Sequence, residues 1–221
     1  MIVETQPGVY LFYRADAAAS RAKALASGYS AGFWRPSITC AAPVGLPMSE
    51  RSRFRLRWLF HYARIFSNRD YRVFVVRQGA EMAHYSGVTG RYWRFPFMAK
   101  DDLQIGDTWT HPDHRGKGLA GFAASQILAA MSHRGRHIWY VVESINMPSI
   151  RTAEGAGMSL YGRGVWRRPL NLKPLGSFVV RETLAAGGAV SAQDGGASSG
   201  AANSRATEQI SNPAPSAIRR T

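Results

Sequence analysis

The residues Arg115-Gly116-Lys117-Gly118-Leu119-Ala120 stand between a strand-like run and an apolar helical stripe. Two glycines so placed let the backbone turn tightly and let a ligand approach the main chain unhindered. The amide N–H groups that open the following helix then face one point, where the helix dipole also favours negative charge. Arg115 and Lys117 add mobile positive charge. The chemistry this suits is the holding of a pyrophosphate, although a solvated strand-to-helix turn would share the composition. The segment lacks the Gly-Lys-Ser/Thr ending of a P-loop and the Gly-x-Gly-x-x-Gly of a dinucleotide turn. His111 and His114 are three residues apart, and His133 and His137 four. No acidic or thiolate residue accompanies either pair at a recognised metal spacing, so no metal site is expected.

Elements on either side must position this turn. Val9–Arg14 is aromatic and β-branched, a first strand. Asp16–Ser27 is Ala-rich, with Asp16 as N-cap and Gly28 as stop, and predicts a helix. Tyr29–Pro47 is punctuated by Gly, Pro and Ser and reads as loop. Ser52–Phe66 predicts a second helix, with Phe54, Trp58, Tyr62 and Ile65 at helical spacing. Tyr71–Val76 and Glu81–Val88 flank Gln78-Gly79 as an antiparallel hairpin. Leu103–Thr110 is a fourth strand, and Leu119, Phe122, Ala123, Ile127, Ala130 and Met131 form the helical stripe behind the turn. His137–Val142 is nearly all apolar, as a strand covered on both faces would be. A short helix over Asn146–Glu154 and strands over Met158–Trp166 and Ser177–Arg181 complete the order β α α β β β α β α β β.

The chain has 221 residues, 45% of them hydrophobic, which suits one domain better than two. From Ala185 to Thr221 it is almost all small, polar and Pro residues without one aromatic. Such a stretch cannot bury enough apolar surface to offset its ordering entropy. A folded domain over residues 1–184 and a disordered tail over 185–221 are therefore expected. The formal net charge of +14 attracts phosphates, anionic membrane surfaces or nucleic acid. The single cysteine, Cys40, excludes an intrachain disulfide. Met1-Ile2-Val3-Glu4 has neither a basic start nor an apolar run, and no stretch is long enough for a bilayer span. A cytoplasmic location is expected.

At the turn the sequence resembles the GNAT acyltransferases, whose acyl-CoA motif runs Arg/Gln-x-x-Gly-x-Gly/Ala. Arg115, Gly118 and Ala120 fit it, and His111-Pro112-Asp113-His114 resembles the Pro-containing turn that leads in. Downstream, the family pattern Asn-x-x-Ala/Ser followed by Gly-Phe is met by Asn146, Ser149 and Gly157-Met158. The resemblance covers roughly residues 70–183, and the first 70 by element order only. It implies a mixed α/β (α+β) fold: a largely antiparallel, seven-stranded, V-splayed sheet flanked by about four helices. It also implies acetyl-CoA as co-substrate, with its pantetheine arm in the gap between the strands Leu103–Thr110 and His137–Val142. Backbone groups near Trp109 and Thr110 would pair with that arm as an added strand does. Amides of Gly116, Lys117, Gly118, Leu119 and Ala120 would hold the pyrophosphate. Asn146 would contact the pantetheine, or cap the next helix, or both.

Acyl transfer of this kind needs a neutral amine, so a group must take its proton. Glu143 at the end of the apolar strand and Asp107 within the preceding one are the candidate bases, with His84 a third. Each carboxylate also reads as an ordinary solvated or hydrogen-bonded one. Many relatives carry a tyrosine acid at the position of Ala153, so here the leaving thiolate would take a proton from Tyr140 or Tyr161, or depart without one. Arg51, Arg53, Arg55, Arg57, Arg64 and Arg69 crowd the second predicted helix and its flanks, as a solvated face or a landing surface for phosphate. Gly90–Lys100 interleaves Arg with Tyr92, Trp93, Phe95 and Phe97, as a base-stacking platform or a rim cluster folded inward. The expected acceptor is an amino sugar carrying a nucleotide or lipid phosphate. That expectation rests on the charge and on a loose resemblance of residues 93–183 to acyltransferases of surface-polysaccharide pathways. Peripheral contact with an anionic membrane is compatible with it, and stable nucleic-acid binding is not expected. The alternatives are a ribosomal or other protein N-acetyltransferase, and a non-catalytic acyl-CoA-sensing or nucleic-acid-binding module.

Overall fold

Alternate side chains of the first strand, β1 (Val9–Ala15), enter different cores: Leu11 and Tyr13 one, Phe12 the other. Period-2 alternation with apolar residues on both sides, broken only at Arg14, makes a strand covered on both faces. β1 belongs to an eight-stranded sheet in a computed structural model that describes residues 8–15, 24–133, 135–169, 172 and 175–184. The remaining elements are β2 (Ser30–Trp34), α1 (Met48–Tyr62), β3 (Arg72–Gln78), β4 (Glu81–Gly90) and β5 (Leu103–Thr110). A 3₁₀ turn (Pro112–His114), α2 (Leu119–Met131), β6 (Ile138–Glu143), α3 (Met147–Gly155), β7 (Ser159–Arg167) and β8 (Ser177–Thr183) follow. The strand order is β2-β3-β4-β5-β6-β1-β7-β8. Every pairing is antiparallel except that of β5 with β6.

One core lies between the sheet and α2 with α3, where Leu119, Ala123, Ile127 and Ile150 meet Leu103, Ile105 and Ile138. The other holds Phe54 of α1, Tyr92 and Phe95 of the 90–100 connection, and Trp139 of β6. Each of these large side chains stabilises the fold by about 1.5–3 kcal/mol on leaving water. Among the described residues no helix is long and apolar enough to cross a membrane.

Two departures from the sequence reading have physical causes. Residues 30–34 (SAGFW) form an edge strand on β3, where a loop is expected. With a partner on one side only and half-exposed side chains, this strand has no apolar periodicity to show. It brings the sheet to eight strands rather than seven, with three α-helices among the described residues rather than four. The helix expected over Asp16–Ser27 lies largely outside the described residues, as does the tail 185–221. α1 begins four residues before its expected start, directly after Pro47. It ends where Arg64 turns left-handed (φ 56°), a common way to stop a helix.

Candidate functional site

β5 and β6 pair over only three rungs, Leu103↔Ile138, Gln104↔Trp139 and Ile105↔Tyr140. Beyond them β5 stays with β4 and β6 stays with β1, so the two facing edges part. The divergence begins at a β-bulge, where Asp107 and Thr108 of β5 together oppose Ser86 of β4. Asp107 adopts φ 47°, unusual for a residue with a Cβ. A bulge bends its strand and raises the local twist, which turns β5 away from β6. It also sends successive side chains to opposite faces. Thr108 lines the larger cavity with Tyr140, while Asp107 meets α1.

The opening between the strands leads to a cavity of about 770 Å³. Trp109 and Thr110 line one wall, Arg115, Gly116, Gly118, Leu119 and Ala120 another, and Tyr140 and Ser149 a third. Gly116 (φ 76°) and Gly118 (φ 74°) are both left-handed, and a Cβ on either would meet no atom within 4 Å. Glycine is needed there for backbone conformation, and the space beside the loop stays open to a ligand. Gly118 caps α2 and its carbonyl accepts from Phe122 N–H at 2.9 Å, the first helical bond of that helix. The amides ahead of Phe122 therefore have no helical acceptor and can bind an anion. Arg115 Nε donates to the Thr110 carbonyl (3.3 Å), tying the loop to the end of β5. Lys117 lies 6.0 Å from the Tyr29 ring and is not part of the wall. Trp109 stacks on Tyr85 at 5.6 Å, so its side chain is turned to the opposite face.

A smaller cavity of about 190 Å³ fills the wedge itself and shares Thr108, Tyr140 and Ser149 with the larger one. Asp107, Glu143 and Asn146 line it. Asn146 is the N-cap of α3, its Oδ1 accepting from Ser149 N–H at 3.2 Å. The Tyr140 hydroxyl lies beside Ser149 and Thr108, which pull its pKa down, but burial outweighs them and leaves it raised. Tyr161 packs on Trp139 (4.9 Å) beneath Arg14, away from both cavities. Ala153 is fully buried in the core beneath α3.

The two candidate carboxylates have different surroundings. Asp107 Oδ2 accepts from Arg57 Nε at 2.8 Å, and Arg57 Nη1 donates to Tyr92 OH at 2.7 Å. Burial alone would pull the Arg57 pKa down, but Asp107 and Tyr92 more than offset that and leave it raised. Glu143 accepts from the Gly8 amide at 3.2 Å and has no cation paired with it among the described residues. His84 is fully buried between Thr110 Oγ1 (2.8 Å) and Ser86 Oγ (3.0 Å). Desolvation pushes its pKa down to about 4. It lines neither cavity, and both ring nitrogens have hydroxyl partners.

Two further expectations change. The arginines of α1 do not form one uniform face: Arg51, Arg53 and Arg55 are exposed, whereas the Arg57 side chain is 13% exposed. The aromatics of the 90–100 connection fold inward, Tyr92 and Phe95 into the core and Phe97 partly so, leaving Trp93 exposed. That removes the base-stacking platform. Thr108, at the bulge, carried no signal along the chain, because its place in the wall follows from cross-strand register.

The GNAT acetyltransferase domain model matches residues 35–159, more than half of the chain. No curated protein matches. Among solved structures, the chain is 18% identical to a GNAT-family protein from Novosphingobium aromaticivorans, covering 73% of this chain and 66% of that one with a TM-score of 0.43. A Drosophila protein is 15% identical, covering 73% and 50% with a TM-score of 0.50. A tandem GNAT protein from the clavulanic acid biosynthesis pathway is 17% identical, covering 72% and 52% with a TM-score of 0.46. The chain thus spans between half and two thirds of the length of these structures. With a family model matched across both the glycine cradle and the parted strands, the chain belongs to the GNAT acetyltransferase family.

Proposed function

We propose that this chain transfers an acetyl or short acyl group from acyl-CoA to a primary amine. The observation that carries the reading is the meeting of two features in one cavity: glycine-loop amides at one end and unpaired strand edges at the other. The amides of Gly116–Ala120 hold the pyrophosphate. The pantetheine lies along the β5 edge at Trp109 and Thr110, against Asn146 and Ser149, and the thioester reaches the wedge. Glu143 takes the proton of the acceptor ammonium, because its carboxylate lines the wedge and no cation is paired with it among the described residues. The neutral nitrogen attacks the thioester carbonyl carbon, the C–S bond breaks as the thiolate takes a proton from the Tyr140 hydroxyl, and the new amide nitrogen gives its extra proton to the Tyr140 oxygen, restoring it. Thr108 and Ser149 hold that hydroxyl in place. Asp107 is a positioning residue, its carboxylate already committed to Arg57.

The acceptor in this reading is an amino sugar carrying a nucleotide or lipid phosphate. Support comes from the net charge of +14 and from the exposed Arg51, Arg53 and Arg55 on α1. The test is thiol release from acetyl-CoA against a panel of phosphate-linked amino sugars, free amino sugars and peptides. Turnover should be fastest with the phosphate-linked sugars. Preference for peptides would overturn the acceptor class, and no release above hydrolysis with any amine would overturn the enzymatic reading.

A further inference from the structure

The 3₁₀ turn Pro112–His114 sits immediately before the glycine loop. Such a turn has three residues per revolution, so side chains three apart eclipse. His111 and His114 are placed one above the other in this way, with ring centroids 5.5 Å apart. Along the chain no acid accompanies them at metal spacing. In space one does: Glu81, the first residue of β4, lies with Oε1 3.6 Å from His111 Nε2 and Oε2 3.4 Å from His114 Nε2. The three ligating atoms all fall within 4.8 Å of one another.

These separations are informative. An N–H···O hydrogen bond usually has its atoms about 2.7–3.2 Å apart; the Glu81–His114 pair makes a long one at 3.4 Å, and the Glu81–His111 pair is wider still. Two ligands of a tetrahedral ion bound at about 2.0–2.1 Å lie roughly 3.3 Å apart, close to the 3.4 Å between Glu81 Oε2 and His114 Nε2, and a small turn of the carboxylate serves His111 as well. The far side of each imidazole is also provided for. His114 Nδ1 is 2.8 Å from Tyr29 OH, which can accept its N–H. His111 Nδ1 faces the Asp113 carboxylate at 3.8 Å, which can do the same once the 3.3 Å contact with the Asp113 amide is released. A metal-bound histidine typically donates its second ring nitrogen to such an acceptor. His114 is buried, while Glu81 is exposed enough to leave the remaining coordination position to water.

We propose that Glu81, His111 and His114 form a divalent transition-metal site, best suited to Zn²⁺, which clamps the start of β4 to the turn that leads into the glycine loop. Two imidazoles and one carboxylate are a borderline donor set, which also admits Co²⁺ and Ni²⁺ and disfavours Mg²⁺ and Ca²⁺. His114 also borders the larger cavity, but the proposed role of the site is structural and does not rest on acyl transfer. Its test needs no turnover.

Metal-free full-length protein is titrated with Zn²⁺ against a chromophoric chelator, and separately with Co²⁺ while the visible d–d bands are followed. One equivalent should bind. Glu81→Gln and His111→Asn, at exposed and half-buried positions that tolerate change, should each weaken binding by more than about 10-fold, since even outer-shell partners carry 10–100-fold. Zn²⁺ should raise the melting temperature of the parent protein and not of Glu81→Gln. The assignment is overturned if Glu81→Gln binds Zn²⁺ as the parent does, if no Co²⁺ bands appear, or if His137→Asn abolishes binding instead.

Discussion

Replacing Asp107 by Asn separates structure from chemistry at the parted strands. Asn tolerates the left-handed backbone at this position, so the φ of 47° adds little to the effect. What is lost is charge opposite Arg57, whose side chain is 13% exposed against 23% for Asp107. Removing one partner of a buried ion pair costs about 3–5 kcal/mol, because the other charge is left unpaired. Partial exposure of Asp107, an amide oxygen that still accepts one hydrogen bond, and the surviving Arg57–Tyr92 bond reduce this to about 2–3 kcal/mol. For a chain of this size a loss of that order lowers Tm by roughly 4–12 °C. Circular dichroism melts of Asp107→Asn, Arg57→Gln and the double variant would measure it. The two single effects should be clearly non-additive, as for groups in direct contact. Acyl transfer by the folded variant should fall by only a few-fold. If stability instead stays within about 0.5 kcal/mol of the parent while turnover collapses and the acid limb of the pH profile disappears, Asp107 is the base and the assignment to Glu143 is wrong.

Three other outcomes follow from the same geometry. Gly118→Asp puts a side chain on a left-handed residue and a negative charge at the loop, and should abolish CoA binding in calorimetry while far-UV circular dichroism is unchanged; retained affinity would remove the loop from the ligand site. Glu143→Gln should slow turnover by ~10²–10⁴ at neutral pH and recover as the amine loses its proton unaided at high pH; a loss of only a few-fold at all pH values would exclude a carboxylate base there. The third concerns His84, whose folded pKa is about 4 against an ordinary 6.5. The unfolded chain binds the proton more readily, so the stability His84 contributes is present above pH 6.5 and is lost as pH falls toward 4, at most about 3 kcal/mol in all. Urea titrations from pH 7 to 4.5 should show a shallower slope for His84→Gln, and identical slopes would mean the histidine is not held neutral.

The legible parts of this chain are those whose physics is local. The glycine loop announces itself because left-handed turns, orphan amides and nearby cations are neighbours in sequence. α2 does so through its apolar residues, and the range Leu103–Thr110 was readable to the residue because turns bracket it. The wedge was readable only through family resemblance, since its walls come from strands joined by one helix and by a pairing that stops after three rungs. Arg57 stood among five other arginines with nothing to mark it, because its partner lies fifty residues away. Glu81 was invisible to metal spacing for the same reason. The edge strand β2 has neither local pattern nor second partner, so it is set by β3 alone.

The bulge at Asp107 ties these facts together. Holding a residue with a Cβ in the left-handed region costs about 1–2 kcal/mol unless something compensates. Here the compensation is the Arg57 clamp, fixed at its far end by Tyr92, which is itself packed against Phe95 (5.1 Å) and Phe66 (5.5 Å). The divergence of β5 from β6 is therefore stabilised from the face opposite to the glycine loop, by a side chain of α1. That same helix presents Arg51, Arg53 and Arg55 to solvent, and its Glu50 accepts from the Tyr85 hydroxyl at 2.8 Å. Tyr85 in turn stacks on Trp109, the residue whose backbone borders the cavity. Two packed connections thus run from α1 to the parted edge of β5, one through Asp107 and one through Trp109. The aromatic cluster on this face, with Tyr92 and Phe95 buried in it, therefore backs the residues that hold the opening.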